Sequence, residues 1–135
     1  MIQLFLVFSD WALVLLRLVL GLIFIAHGWP KIKDLKTTAQ NFAAMGFRPG
    51  KLWGSLVASV EFLGGILFIL GLFTQVAALI LAIEFIVIMI WKLKTKQKLV
   101  GGYELDLILL AALLVLASMG STLYSLDSYF GIYLF

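Results

Sequence analysis

Residues 11–29 read WALVLLRLVLGLIFIAHGW. Nineteen residues at 1.5 Å per residue make a helix about 28 Å long, close to the hydrocarbon thickness of a bilayer. The run does not alternate, so a strand of a membrane barrel is excluded. Ser9 and Asp10 precede it as an expected N-cap, and Pro30 follows as an expected stop. Its one strongly charged residue is Arg17.

The rest of the chain repeats this pattern. Apolar stretches over 52–72, 76–91 and 104–119 predict three more membrane helices. The predicted fold is therefore all-α: a single-domain integral membrane four-helix bundle. Of the 135 residues, 64% are hydrophobic and only 13% charged. A soluble domain of this size has too little interior for so many apolar side chains. A cleaved signal peptide is not favoured, because residues 1–8 contain no Lys or Arg.

Between the first two spans, Ile32, Leu35, Ala39, Phe42 and Met45 recur at three- and four-residue steps. They predict a short amphipathic helix lying at the membrane interface; the alternative is a loop helix packed on the bundle. Gly46 and Pro49-Gly50 end it.

All ten Lys and Arg except Arg17 fall in two loops. Lys31, Lys33, Lys36, Arg48 and Lys51 follow the first span; Lys92, Lys94, Lys96 and Lys98 follow the third. With four spans both loops lie on one side, and the positive-inside rule makes that side cytoplasmic, with both termini outside. The same rule explains the net charge of +3, so no nucleic-acid partner is implied. Trp29, Trp53, Trp91 and Tyr103 mark the cytoplasmic helix ends; Trp11 and Tyr124 mark the outer ones. Tyr129, Phe130 and Tyr133 in the tail either lie on the outer surface or pack on the bundle.

Arg17, Glu61 and Glu84 fall inside three different spans. Counted from the outer side, their depths are about 9, 16 and 12 Å. Arg17, Gly21 and Gly28 share one helix face; Gly54, Ala58, Glu61 and Gly65 share another. Small residues let membrane helices approach closely. The expectation is that these stripes face each other, that Arg17 reaches Glu61, and that Glu84 joins them. An ionisable residue in a span is costly to insert and marks a functional site by default. A proton, ion or quinone-headgroup site is the functional reading. An ion pair that only fixes helix register is the structural one.

His27, near the cytoplasmic edge, is either a proton relay or ligand, or a hydrogen-bonded interface residue. Glu104 and Asp106 read as cap and loop partners. The chain has no cysteine, which removes thiolate metal sites, disulfides and a dithiol redox centre. No nucleotide loop, zinc motif or nucleophile triad is present.

The run Leu15-Leu16-Arg17-Leu18 with Gly21, Phe24, His27-Gly28 and Lys31 resembles the first segment of the DoxX-like membrane proteins. Glu61, Gly64-Gly65, Leu70-Gly71 and Thr74 are similar to that family's second-helix signature. Gly120 with Tyr124-Ser125-Leu126-Asp127 resembles its serine-leucine-aspartate ending, without the proline the family often carries before it. The resemblance implies a multi-pass protein of the bacterial or archaeal inner membrane. It implies association with an oxidoreductase system, quinone-linked in some members; because the sequence lacks a redox centre of its own, a partner protein would have to supply the electron chemistry. On that implication Arg17, His27, Glu61 and Glu84 are the candidate positions. The alternatives are a small proton-coupled transporter, in which a homodimer would line the path, and a non-catalytic scaffold contacting only membrane lipid and other proteins.

Overall fold

The computed structural model describes residues 8–120 and 124–132. Among these there are helices and turns and no strand. Helix α1 spans Ser9–Lys33, α2 Leu35–Ala44, α3 Gly50–Leu70, α4 Thr74–Lys94, α5 Glu104–Met119 and α6 Leu126–Phe130. Four stretches are long and apolar enough to cross a membrane: Ser9–Lys33, Gly50–Leu70, Thr74–Lys94 and Leu99–Met119. The ends carrying the two lysine-rich loops form one pole of the bundle, here the basic end. The opposite pole is the tail end, where α6 sits.

Both ends of α1 differ from expectation, and α3 and α4 run over Gly50–Leu70 and Thr74–Lys94 where 52–72 and 76–91 are expected. Helix α1 runs through Pro30 to Lys33 instead of stopping at Trp29. Proline lacks an N–H, but its carbonyl still accepts, and Asp34 N–H closes the last turn on Pro30 O at 3.3 Å. The packing of Gly28 on Phe62 and of Lys31 on Glu61 holds this turn in place. Ser9 and Asp10 lie inside the first turn rather than at the cap, which falls at Phe8 without a side-chain bond. Asp10 there still places negative charge at the positive helix end.

The tightest seam joins α1 and α3. A Cβ on Gly21 would stand 2.8 Å from Gly65 O, and one on Gly65 would stand 2.7 Å from Gly21 O. Gly28 is as close to the backbone of Phe62. Both helices therefore need glycine where their main chains touch. In lipid there is no solvent-driven burial between helices, and such close van der Waals contact is what holds them. The two small-residue stripes do face each other at these points. Gly54 is the exception: it meets Thr38 of α2.

Helix α2 packs along the start of α3. Thr38 is buried there, and its hydroxyl donates to Lys31 O and Asp34 O at 3.0 Å. Asp34 caps α2 by accepting the Thr37 N–H at 3.0 Å and its hydroxyl at 2.7 Å. Trp91 Nε1 donates to Met45 O at 3.0 Å, tying the end of α2 to the end of α4.

The centre is filled by Leu20 and Phe24 of α1, Phe68 of α3, Leu81 and Phe85 of α4, and Leu113 and Leu116 of α5. Phe24 packs edge-on to Phe85 with ring centroids 5.5 Å apart. Large apolar side chains on the outward faces, among them Leu15, Ile83 and Ile108, are exposed. That distribution is expected when the surrounding solvent is lipid.

Candidate functional site

The sequence places three ionisable groups in the bundle; the fold sorts them into two separate clusters. Antiparallel packing is the reason. With Gly21 against Gly65, residues further along α1 toward the tail end meet the last turn of α3. Residues further toward the basic end meet its middle. Arg17 therefore arrives beside Gly71, and Glu61 arrives beside the final turn of α1. The expected contact between Arg17 and Glu61 does not form.

At the tail end Arg17 is only 4% exposed. Its Nη2 donates to Tyr124 O at 2.7 Å. Gly71 ends α3 with φ of 65°, a left-handed conformation suited to glycine. A Cβ there would also press on Arg17 Nη1 at 2.7 Å and Ser125 Cβ at 2.5 Å. Asp127 is 3% exposed and completes the closure. Its Oδ1 accepts from Phe73 N at 2.6 Å, and its Oδ2 accepts from Thr74 N at 2.9 Å. Its own N–H donates to Gly71 O at 2.8 Å. The α4 N-terminus thus receives its cap from a residue far along the chain, and Phe73 is held at φ 49° in the process. The Asp127 charge also acts on Arg17. Trp11 and Tyr124 stack at 4.4 Å over this end. Tyr129 and Phe130 are exposed; Tyr133 lies outside the described residues.

Toward the basic end a different group forms. Glu61 is 2% exposed, in the middle of α3. Lys31 Nζ reaches it from the last turn of α1, 2.5 Å from Oε2. A helical side chain leans toward its own N-terminus, so Lys31 points into the bundle rather than out to the headgroups. Glu84 of α4 lies against Glu61 within hydrogen-bonding contact and within the field of Lys31. Glu84 Oε1 is shielded and has no hydrogen-bond partner. Three helices thus contribute one residue each.

His27 belongs to neither cluster. It is exposed, and its Nδ1 bonds to Ile23 O within its own helix at 2.7 Å. Lys31 and Asp127 are the members that reading by span misses. Lys31 reads as one more loop lysine, and its position three residues after Gly28, on the stripe facing α3, is the signal that places it. Asp127 has no local signal beyond its place in the tail motif. Glu104 Oε1 accepts from Gly101 N at 3.0 Å, and Asp106 pairs with Lys92, so both act at the start of α5. Among the described residues no group of three His, Cys, Asp or Glu is arranged to hold a metal ion.

A shallow apolar groove of about 180 Å³ runs between α3 and α4, lined by Val60, Leu63, Gly64, Leu67, Ala77 and Ile80 with Ser59 at its edge. Ile80 is one helical turn from Glu84, on the same side of α4.

These features define a small multi-pass helical membrane protein, closed at one pole by a hydrogen-bonded tail and carrying a Lys–Glu–Glu cluster within its spans. The DoxX family pattern matches residues 12–93, and the chain belongs to that family. It is 32% identical over 115 residues to a protein of Bacillus subtilis (strain 168) described as "Putative oxidoreductase CatD"; the match covers 85% of this chain and 84% of the relative. No solved structure matches the chain at a significant level.

Proposed function

We propose that this chain is the membrane subunit of an oxidoreductase assembly, handling protons at the Lys31–Glu61–Glu84 cluster while a partner protein carries the electron chemistry. The observation that carries this reading is the cluster itself. Ionisable groups within a span are expensive, and one of them, Glu84, keeps an oxygen free. Family membership and the description of the Bacillus relative point the same way. The lack of cysteine and the single, exposed histidine leave the chain few ligands for a redox centre of its own, which argues for a partner. The lysine-rich loops support an orientation with the basic end in the cytoplasm and both termini outside.

A quinone is the proposed lipid-soluble reactant. The α3–α4 groove offers an apolar bed open to the membrane, and the Glu84 side of α4 offers a proton-exchanging group nearby. A quinone supplies two-electron chemistry coupled to proton uptake. The chain's part is to seat the ring and hold the proton.

Purification from the native membrane in mild detergent tests the assignment. A redox protein and extractable quinone should co-purify, and the mixture should pass electrons to quinone in vesicles. A chain that isolates without redox partner or quinone, and vesicles without quinone-dependent electron transfer, would sink it. Uptake of a solute abolished by Glu61→Gln would favour a transporter instead.

A further inference from the structure

We infer that Glu61 and Glu84 hold one proton between them, with Lys31 balancing the remaining carboxylate. The argument starts from charge. Lys31, Glu61 and Glu84 meet in one group, and isolated net charge in a bilayer is unfavourable. With both carboxyl groups ionised, the trio would carry one negative charge in excess. One proton makes it neutral.

Among the described residues no other charged group is placed to balance the trio. From α1, Asp10 lies in the first turn at the tail end, Arg17 is committed to Tyr124 O and Asp127 there, His27 faces outward bonded to Ile23 O, and Lys33 is exposed over the Trp29 ring. On α3 and α4 the only other charged residues are Lys51 and the terminal Lys92 and Lys94, at the basic end. Helix α5 carries no charged residue after Asp106, which pairs with Lys92. On α2 the charged residue is Lys36, which is exposed.

Geometry assigns the parts. Lys31 Nζ donates to Glu61 Oε2, as an ammonium does to a carboxylate. Two carboxyl groups in contact need a proton between them, because an ionised oxygen only accepts. Glu84 Oε1 remains without a partner, on the oxygen that a second proton or a hydrogen-bonding ligand would meet. The trio is thus a one-proton store within the span. This deepens the oxidoreductase reading by naming what the cluster holds, but it concerns the chain alone.

Infrared difference spectroscopy of the purified chain, with no quinone or partner added, tests it. At neutral pH the wild-type protein should show a protonated-carboxyl band that shifts in deuterium oxide. Glu84→Gln should abolish that band, since Glu61 then pairs with Lys31 as a carboxylate. Glu61→Gln should abolish it as well, with Lys31 turning to Glu84. In the double variant Lys31→Met/Glu61→Gln the cation is gone, and the band should return on Glu84. Loss of carboxylate bands alone in Glu84→Gln would overturn the inference, because both groups would then be ionised in the wild type. A band that survives in Glu61→Gln would overturn it too, because the proton would belong to Glu84 without sharing. If Glu61→Gln does not fold, the Glu84→Gln spectrum decides between the same two answers. Failure here leaves co-purification with a redox partner untouched, and failure there leaves the infrared result standing.

Discussion

The two poles of this bundle both bury charge, and they do so to different ends. At the tail end the charges close the chain on itself, although Arg17 Nε and Nη1 and the Thr74 hydroxyl are buried there without hydrogen-bond partners among the described residues. Asp127 caps α4, binds the turn after α3 and faces Arg17, which itself bonds the Tyr124 carbonyl. Toward the basic end, Lys31 satisfies Glu61, while Glu84 is left with a shielded oxygen and a groove nearby. Both clusters keep unpartnered polar atoms; what separates them is that the tail-end charges bond backbone groups that close the chain, while Lys31 and Glu61 bond each other as side chains. The difference ties the Arg17–Asp127 end to folding; on the proposed function the Lys31–Glu61–Glu84 end carries the chemistry.

The comparison is broken most directly at Asp127. Asp127→Ala deletes two bonds to backbone N–H groups and leaves Arg17 without its facing charge, so it should cost about 3 kcal/mol. Detergent-monitored unfolding reads the loss, and the stacked Trp11 should change its fluorescence as the tail releases. If Asp127→Ala is as stable as wild type, the tail end is not a structural closure. Gly65→Ala comes next. It lies between the poles on the α1–α3 seam, where the new methyl meets backbone at Gly21 O and Ile25 N as well as the Ile25 side chain. Separation of these helices should cost about 1–3 kcal/mol and perturb both ends together. An effect confined to one end would show that the seam does not set the register for both.

The double variant Lys31→Met/Glu61→Gln sharpens the other half. Replacing a buried ion pair by neutral groups of similar size should cost less than about 1 kcal/mol, while proton-linked activity is lost. Stability loss as large as that of Asp127→Ala would make the inner cluster structural as well. The smallest effect concerns α2. The Thr37 hydroxyl and then its N–H hold the Asp34 carboxyl below its usual range. A depressed carboxylate lends stability that is present above the ordinary aspartate value of about 3.9 and is lost as pH falls through the lowered one. Amide exchange at Thr37 should therefore quicken in that acid window and stay constant above it.

Much of this architecture is readable from residue order. The predicted span 104–119 coincides with α5, because acidic residues open it and glycine closes it. The glycine stripes are legible because a repeat of small residues every turn has few other uses in a span. The partners of the charges are less legible. Counting depth along each helix ranks Arg17 and Glu61 by level but does not say which face of which helix stands opposite. Once Gly21 is set against Gly65, Arg17 can only fall beside the turn at Gly71. Lys31 is hidden by its company: four lysines or arginines follow it in the same loop, and only its place three residues after Gly28, on the stripe facing α3, separates it from them. Pro30 misleads because a proline near a helix end removes a single hydrogen bond, which packing against α3 outweighs. Asp127 contacts residues more than fifty positions earlier, and no local pattern encodes such a return.

The cap on α4 sets an order of events during synthesis. A nascent chain emerges N-terminus first, so all four long helices exist before Asp127 leaves the ribosome. Until then the start of α4 has bare N–H groups, and the Arg17 guanidinium lacks the carboxylate it will face. The last part of the described chain to be made is therefore the part that locks the first. A product released before Asp127 would contain every membrane span and still lack the latch.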